Sequence, residues 1–489
     1  MPGKSLMIQG TGSHVGKSVL TAAICRILAE DGWRVAPFKA QNMALNSYVT
    51  PEGGEIGRAQ AMQAQACKIA PHVDMNPILM KPNHDTNAQI IFRGRPVRNM
   101  SVAEYAEFKK EIFPLVLESL TRLRDEFEIV VIEGAGSPAE INLCDQDIVN
   151  MRIAREAQAP VILVGDIDLG GVFASFVGTI ELLEPKERDH IAAFLINKFR
   201  GDVSLLASGI DFLKARTGKP TLGIVPFCKD LDLPEEDSLA KRNPAVWRKD
   251  SIRIRIILLP HLANFTDFDA LQKEPDVDLR FVSSPIDCLD ADLIILPGSK
   301  STVSDLGYLK DRGFVEFLQK KPDQITLLGI CAGFQMLGGK IFDPWAVESE
   351  EKETVGIGLL PANTIFQKEK ETRQIFANSL EGSLPVRGYE IHHGITQFEE
   401  SCTPLFVLEE GTRPEGYSDP IRSIYGTSIH GVFDEDEFRR WFLNRLRERK
   451  GWAPLKPNRL DHDLPFQEWA AVIRKHIDMD LLYQILERS

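Results

Sequence analysis

The sequence predicts an α/β protein made of two doubly wound parallel-sheet domains with a helical C-terminal tail. The length of 489 residues exceeds what one ordinary hydrophobic core accommodates. Two series of short, continuously apolar segments alternate with segments of helical periodicity, a pattern typical of parallel sheets covered on both faces. A polar, charged and proline-containing stretch from Cys228 to Ser251 separates the two series.

The first series predicts strands in the segments SLMIQG, RVAPFKA, EIVVIEG, PVILVGD, IAAFLINKF and LGIVPF. After the first of these, SVLTAAICRILAEDG carries apolar residues at helical spacing and ends at Gly32, which suits a helix C-cap. We therefore assign residues 1–235 to a first domain.

The second series begins with IRIRIILLP, VDLRFVSSP, ADLIILPGS and ITLLGIC, and continues with RGYEIHHG and IYGTSIHGVF. We assign residues 252–440 to a second domain. From about Glu435 onward the pattern is helical and amphipathic, so residues 441–489 are expected to form a helical extension.

Composition excludes several classes of function. The chain has 57 Lys and Arg against 70 Asp and Glu, a net charge of −13, so no general attraction for nucleic acid or an anionic membrane is expected. Seven cysteines occur without a CxxC pair, which argues against a disulfide framework or a zinc site. No signal peptide and no apolar run of 18 residues is present, so a cytoplasmic location is expected.

A glycine-rich loop in MIQGTGSHVGKSVL is predicted to bind nucleotide phosphates. Glycines let consecutive backbone N–H groups point at phosphate oxygens, and the start of the following helix adds its positive dipole end. Lys17 is expected to reach the β- and γ-phosphates of ATP, and the Ser18 hydroxyl to bind Mg²⁺. The loop is one residue longer than the standard form and resembles the dethiobiotin-synthetase-like branch of P-loop proteins. The predicted nucleotide-binding residues of the loop are Gly10, Thr11, Gly12, Val15, Gly16, Lys17 and Ser18.

Polar residues follow other strands at the same edge of the first sheet. Glu133 closes an apolar strand, where a carboxylate is rarely structural, and is predicted to share a metal ion with Ser18. Asp166 and Asp168 end the next strand and serve either a metal or a helix N-terminus. Asn197 is assigned to nucleotide binding, where its amide reads adenine, with backbone capping as the alternative.

A second chemical group is the thiol in LLGICAGFQMLGG. Glycines around Cys331 permit a sharp strand-to-helix turn with the thiol at its apex, the arrangement of a nucleophile elbow. The N–H groups of Ala332 and Gly298 are predicted to hold an oxyanion. His430, in SIHGVF, is the predicted base, with His392 and His393 of GYEIHHG as rivals.

The segments GICAGFQMLGG and SIHGVF resemble class I glutamine amidotransferases, which hydrolyse glutamine through a thioester. The resemblance implies an acid two residues after the histidine, but Val432 stands there. This departure is similar to the cobyric and cobyrinic acid synthase branch, in which cysteine and histidine act without a triad acid. Glu390 is the candidate for orienting His430.

The stretch PFKAQNMALNSYVTPEGGEIGRAQAMQAQA, with INKFRGD, NFTDFDAL, LPGSKSTVSDL and RGYEIHHG, resembles the cobyric acid synthase family over essentially the whole chain. The resemblance implies ATP-dependent and glutamine-dependent amidation of the b, d, e and g carboxylates of a corrinoid, adenosylcobyrinic acid a,c-diamide. The sister a,c-diamide synthase and a ParA-like ATPase switch are the alternatives. The oligomeric state is not predicted.

A polyanionic corrinoid needs local polar and cationic groups, although solvated surface charge is the alternative for each. The assigned substrate-binding residues are Lys39, Gln41, Asn42, Arg58 and Asp145. Further cations in the same segments are Lys81, Arg93 and Arg95.

Overall fold

The computed structural model describes residues 2–84, 87–228, 233, 250–399, 402–408 and 413–488, without the side chains of residues 83, 84 and 145. Within these ranges the strands are β1 (Lys4–Gly10), β2 (Val35–Phe38), β3 (Gln41–Met43), β4 (Ser47–Val49), β5 (Glu55–Gly57), β6 (Ile78–His84), β7 (Asn87–Phe92), β8 (Arg95–Ser101), β9 (Ile129–Glu133), β10 (Val161–Asp166), β11 (Ile191–Phe199), β12 (Thr221–Pro226), β13 (Ile252–Ile257), β14 (Val277–Val282), β15 (Leu293–Leu296), β16 (Thr326–Ile330), β17 (Lys340–Phe342), β18 (Glu353–Val355), β19 (Ala362–Ser379), β20 (Pro385–Phe398), β21 (Phe406–Leu408), β22 (Pro414–Glu415), β23 (Tyr417–Asp419) and β24 (Ile424–Thr427).

The α-helices in the same ranges are α1 (Lys17–Glu30), α2 (Arg58–Ala66), α3 (Val102–Glu126), α4 (Met151–Ala157), α5 (Val172–Leu182), α6 (Pro185–Arg188), α7 (Ala207–Thr217), α8 (Asp269–Gln272), α9 (Thr302–Asp311), α10 (Phe314–Gln319), α11 (Ala332–Met336), α12 (Asp436–Arg449), α13 (Leu464–His476) and α14 (Met479–Leu486).

The chain forms two compact units that are discontinuous in sequence. The first comprises Met1–Ala44, Gly54–Glu235 and Asp461–Ser489, and the second comprises Leu45–Gly53 and Glu236–Leu460. A nine-residue segment of the N-terminal half thus belongs to the second unit, and the last helices belong to the first. The alternating patterns give no indication of either exchange, because they report periodicity and not which surfaces meet.

The first unit is built on a parallel sheet with the strand order β12-β11-β10-β1-β9-β2. Its central strands are buried along their length, as their continuous apolar runs predict. All six predicted strands of this half are present. A smaller sheet, β3-β6-β7-β8, completes the unit.

The second unit contains a sheet with the order β14-β13-β15-β16-β24-β23, parallel except for the edge strand β23. A second sheet, mostly antiparallel, is organised around the long hairpin of β19 and β20. The predicted fold class, with two parallel-sheet domains, is confirmed. Among the described residues, no helix combines the length and the apolar character needed to cross a membrane.

The C-terminal helix α13 packs on α1, the helix that follows the phosphate loop. Trp469 is buried, and its indole Nε1 donates to the carbonyl of Val19 at 2.8 Å. Arg26 makes a bidentate ion pair with Asp463, with distances of 2.7 and 2.6 Å. The tail therefore restrains α1 by both apolar and charged contacts.

We expect Trp469→Ala to destabilise α1 by about 3–5 kcal/mol, because the substitution empties a large buried site. The measurement is hydrogen–deuterium exchange of the α1 amides. Leu464→Ala on the same helix is the control, since Leu464 is 45% exposed. Unchanged protection of α1 in the Trp469 variant contradicts the docking role of the tail.

Candidate active sites

The predicted phosphate loop connects β1 to α1 in the first unit. Gly16 occupies the N-cap of α1 with φ 99° and ψ 21°, a left-handed conformation that side chains disfavour. A Cβ atom at this position would lie 2.3 Å from Nδ2 of Asn197. The loop thus has the strand–loop–helix geometry that a phosphate cradle requires.

Lys17 folds back over the loop. Its Nζ donates to the carbonyls of Gly12 at 2.8 Å and Gly136 at 3.0 Å. Burial lowers the pKa of Lys17 to about 8, with nearby Glu133 opposing and Lys39 reinforcing the shift. Because its direct partners are neutral carbonyls, the ammonium charge remains available to an anion.

Glu133 ends β9 and is buried beside the start of α1. Its Oε1 accepts hydrogen bonds from Ser18 Oγ and Lys39 Nζ, both at 2.8 Å, and its Oε2 accepts one from Gln63 at 2.5 Å. Burial raises the pKa of Glu133, but Lys39 and the hydrogen bonds from Gln63 and Ser18 outweigh burial and lower it. The carboxylate is therefore ionised.

The donor set of Ser18 and Glu133 fits Mg²⁺. This ion prefers one or two protein oxygens together with phosphates and water to an all-protein cage. Consistently, no group of three or more His, Cys, Asp or Glu residues suited to a metal occurs among the described residues. A metal bound here would compete with Lys39 for Oε1.

The polar residues at the ends of β10 and β11 brace the loop. Asn197 Nδ2 donates to the carbonyl of Val15 at 2.8 Å. Lys198 Nζ joins the carbonyl of His14 to the carboxylate of Asp166, each at 2.7 Å. The alternative role of Asn197 in capping the backbone is therefore supported by a direct contact. Its role in binding adenine remains a prediction.

The predicted substrate residues that follow β2 contact other polar groups. Lys39 is paired with Glu133, Gln41 Oε1 accepts from Tyr105 at 2.6 Å, and Asn42 donates to Gln60 at 3.1 Å. The side chain of Asp145 lies outside the described part of the chain.

Four of the predicted cations differ in their surroundings. Lys81 pairs with Glu55 at 2.5 Å, and Arg93 binds Glu118 at 3.1 Å. Arg95 is exposed on β8, and Arg58 is half-buried at the first position of α2.

In the second unit, Cys331 lies between β16 and α11, with φ 51° and ψ −111°. Its N–H donates to the carbonyl of Thr427 at 2.8 Å, which ties the turn to β24. A Cβ atom at Gly333 would lie 1.9 Å from the carbonyl oxygen of Leu296, so only glycine permits this close approach. The turn has the predicted elbow geometry.

His430 follows β24 and is oriented by Asp267. Nδ1 of the imidazole lies 2.7 Å from Asp267 Oδ2, and Oδ1 of the same carboxylate accepts the N–H of Gly431 at 3.0 Å. The Tyr389 ring stacks on the imidazole, with ring centroids 5.3 Å apart. His430 and Asp267 are both buried.

The prediction that Glu390 orients His430 is wrong, because Glu390 is bound to Arg373 at 2.6 and 2.8 Å. The expectation of a dyad without an acid is also wrong, since Asp267 fills this place. The segment NFTDFDAL contains Asp267, but it precedes the histidine by 163 residues, and no local spacing links the two.

The charges around His430 favour its protonated form. Burial by itself lowers the pKa of His430, but the Asp267 carboxylate and the Cys331 sulfur outweigh burial and raise this pKa to about 10. An imidazolium hydrogen-bonded to Cys331 stabilises a thiolate, the nucleophilic form of cysteine. His392 differs, because burial lowers its pKa and neither of its ring nitrogens has a partner in the described residues.

The predicted oxyanion donors lie beside Cys331 and His430. Ala332 is the first residue of α11, and a Cβ atom at Gly298 would lie 2.9 Å from Cε1 of His430. Within the described residues, the N–H groups of Gly298 and Ala332 donate to no protein acceptor. Cys331, His430, Asp267 and the two N–H groups thus suit nucleophilic attack on a carbonyl carbon.

Comparison with known proteins matches two consecutive parts of the chain to two domain families. Residues 6–240 match the family described as the CobQ/CobB/MinD/ParA nucleotide binding domain, and residues 253–438 match the CobB/CobQ-like glutamine amidotransferase domain. Over 501 residues the chain is 48% identical to a protein of Dehalococcoides mccartyi called cobyric acid synthase, covering 99% of both chains. A cobyric acid synthase of Streptococcus sanguinis is 45% identical over 499 residues, again covering 99% of both.

A third relative is a longer protein that is described as bifunctional. The adenosylcobalamin biosynthesis bifunctional protein CobDQ of Leptospira interrogans is 46% identical over 490 residues. The alignment covers 99% of this chain and 57% of that protein.

We expect Asp267→Asn to lower the kcat for glutamine hydrolysis by about 100-fold to 10,000-fold, the usual range for disrupted acid–base catalysis. Removing the carboxylate lowers the pKa of His430, so the imidazolium persists only to lower pH. The alkaline limb of the kcat/KM profile therefore moves to lower pH, which a pH series of glutamate release measures.

Asp276→Asn is the matched control for this substitution. Asp276 is a buried carboxylate of the same unit that pairs with Arg440 and Arg447, away from the thiol. A pH profile that moves equally in both variants contradicts the role given to Asp267.

Proposed function

The chain belongs to the cobyric acid synthase family, and from this premise we propose how its two units divide the reaction. It is a glutamine-dependent amidating ligase of cobalamin biosynthesis with a nucleotide-binding domain. We infer that the second unit releases ammonia from glutamine and that the first unit activates a corrinoid carboxylate with ATP. The observation that carries this proposal is the Asp267–His430 pair beside the elbow thiol.

Glutamine hydrolysis starts with attack of the Cys331 thiolate on the side-chain carbonyl carbon. The resulting oxyanion accepts hydrogen bonds from Gly298 and Ala332, and loss of one such donor typically costs about 3 kcal/mol. The oxyanion collapses to a thioester as the C–N bond breaks, and His430 delivers its Nε2 proton to the departing ammonia. His430 then takes a proton from water, whose oxygen attacks the thioester and regenerates the thiolate with glutamate.

Carboxylate activation occurs in the first unit. A carboxylate is a poor acylating agent, so one of its oxygens attacks the γ-phosphorus of ATP and displaces ADP. Ammonia attacks the acyl phosphate, phosphate leaves, and an amide remains. The loop N–H groups and Lys17 offset the shifting negative charge. Mg²⁺, held by Ser18 and Glu133, would supply additional charge neutralisation at the transferring phosphoryl group.

The proposed acceptor is adenosylcobyrinic acid a,c-diamide, amidated in turn at its b, d, e and g carboxylates. Lys39, Gln41, Asn42 and Arg58 are the residues proposed to contact this polyanionic substrate. The test incubates the protein with ATP, Mg²⁺, glutamine and either cobyrinic acid or its a,c-diamide, and counts the added amides by mass. Four amides on the a,c-diamide are expected; consumption of cobyrinic acid alone contradicts the proposal.

We expect Cys331→Ala to abolish glutamine-dependent amidation while ammonium-dependent amidation continues, because only the thioester step needs the thiol. The measurement is the amide count with each nitrogen source. Cys288→Ala is the control, since burial and nearby Asp287 raise the pKa of this thiol to about 12 and make it unreactive. Loss of both nitrogen sources in the Cys331 variant shows that the two half-reactions are not separable.

We expect Glu133→Gln to weaken the binding of ATP in the presence of Mg²⁺ by about 10-fold to 100-fold, the usual effect of one charged interaction. Binding without Mg²⁺ changes less, since the lost group is the metal ligand. Calorimetric titration with and without Mg²⁺ measures both. Asp168→Asn, at an exposed carboxylate paired with Arg200, is the control. An unaltered Mg²⁺ dependence in the Glu133 variant contradicts metal binding there.

A further inference from the structure

The loop after β15 lies beside His430 and carries the predicted oxyanion donor Gly298. Residues 297–301 are called here the oxyanion loop. A Cβ atom at Gly298 would lie 2.9 Å from Cε1 of His430, so this position favours glycine. Glycine adopts many backbone conformations at little cost, and it has no side chain that could anchor the loop. Neighbouring residues must therefore hold the N–H of Gly298 in a fixed direction, because an oxyanion donor is effective only when it is in place before the charge develops.

Asp305, in the first turn of α9, provides such a support. Its carboxylate is buried, with 0% exposure. Oδ2 accepts hydrogen bonds from Ser299 Oγ at 2.6 Å and from the backbone N–H of His261 at 3.2 Å. Oδ1 lies 2.7 Å from Nδ1 of the same histidine. Asp305 thus joins the oxyanion loop to the segment that contains His261.

Ser299 extends this support along the oxyanion loop. Its Oγ donates to Asp305 and accepts the backbone N–H of Ser301 at 2.9 Å. A hydroxyl has one proton and two lone pairs, so both hydrogen bonds form at the same time. The loop is therefore fixed one residue after the oxyanion donor.

Backbone pairing with residues 261–263 completes the support. The N–H of Ala263 donates to the carbonyl of Gly298 at 3.1 Å, and the two segments run antiparallel. The same segment continues to Asp267, the acid that is bound to His430. The oxyanion donor and the acid thus lie on paired segments, and Asp305 contacts both segments.

A buried acid in the first turn of a helix can also stabilise the helix itself. Within the described residues, however, the contacts of the Asp305 carboxylate come from outside α9. The N-terminus of α9 is bound by Glu348, whose Oε2 accepts the N–H of Thr302 at 2.6 Å. Stabilisation of the helix therefore does not explain the direction of the Asp305 carboxylate.

We infer that Asp305 is a positioning residue for glutamine hydrolysis, which holds the N–H of Gly298 at the point where the oxyanion forms. This inference rests on the proposed function of the second unit. Asp305 acts through Ser299 and the paired backbone and not on Cys331. Without its carboxylate, the Cys331 thiolate still forms, whereas each step that makes a carbonyl oxygen negative is slower.

The test compares two reactions of the same thiol. Glutamine hydrolysis passes through an oxyanion. Alkylation by iodoacetamide does not, because the thiolate attacks a saturated carbon, a C–S bond forms and iodide leaves. Glutamate release measures the first reaction, and mass spectrometry of the peptide that contains Cys331 measures the second. A loss that is confined to hydrolysis identifies a defect of the oxyanion loop.

Asp305→Ala is expected to lower the kcat for glutamine hydrolysis by about 10-fold to 100-fold, less than removal of a donor, since Ala332 still donates. The KM for glutamine changes less, because the weakened interaction is made in the transition state. The alkylation rate of Cys331 stays within about two-fold, because it depends on the thiolate. Asp305→Asn keeps one acceptor oxygen, so its kcat is expected to lie between those of Asp305→Ala and the unaltered protein.

Ser299→Ala is a second variant that removes the hydroxyl and leaves the contacts between Asp305 and His261. It is expected to lower kcat in the same direction by a smaller factor, again without a matching loss of alkylation. This variant provides the test if Asp305→Ala does not fold.

The control variant is Asp292→Ala, at the opposite end of β15. Asp292 accepts the backbone N–H of Arg253 at 2.8 Å and pairs with Lys450 at 2.7 Å. Both reactions of this variant are expected to proceed as in the unaltered protein.

Three outcomes overturn the inference: an unchanged kcat in Asp305→Ala and Ser299→Ala, alkylation that slows as much as hydrolysis in these variants, or an equal loss of hydrolysis in Asp292→Ala. Failure of the unaltered protein to release glutamate while Cys331 is alkylated has a different meaning. That result overturns the proposed glutamine hydrolysis itself, before any role of Asp305 is considered.

Discussion

The hydrogen bond between Asp267 and His430 is the interaction on which the proposed chemistry of the second unit depends. It places a proton on Nδ1 and thereby leaves Nε2 as the only nitrogen that can exchange a proton with Cys331. It also compensates for burial, which alone would keep the imidazole neutral. A histidine at the same place without this carboxylate would have neither a defined tautomer nor a charge to stabilise a thiolate.

The first unit also stabilises a buried charge with an oppositely charged partner, but there the buried group is a carboxylate. Glu133 is buried, and Lys39, Ser18 and Gln63 keep it ionised. In both units the charged group lies at or just after the carboxyl end of a parallel strand, at the sheet edge that also carries a strand-to-helix turn. The sheet architecture thus places both proposed anion sites, one for phosphates and one for the amide oxyanion, at the ends of parallel strands.

A short segment of the N-terminal half takes part in the structure around the acid–base pair. Leu45–Gly53 belongs by packing to the unit with the thiol and by sequence to the unit with the phosphate loop. Hydrogen bonds join this segment to Asn264 and Phe265, which shortly precede Asp267 in the sequence. The orientation of the acid–base pair therefore depends on residues from both halves of the sequence that pack within one unit.

The sequence by itself determined whatever depends on neighbours along the chain. The loop around Lys17 and the elbow at Cys331 were predictable because glycines, apolar strand residues and helix starts at close spacing specify local backbone geometry. Tertiary structure alone decided the partners: Asp267 for His430, Lys39 for Glu133 and α13 for α1. Periodicity identifies which face of an element is buried, but hydrogen bonds between residues many positions apart depend on how the elements pack, and no local pattern records that.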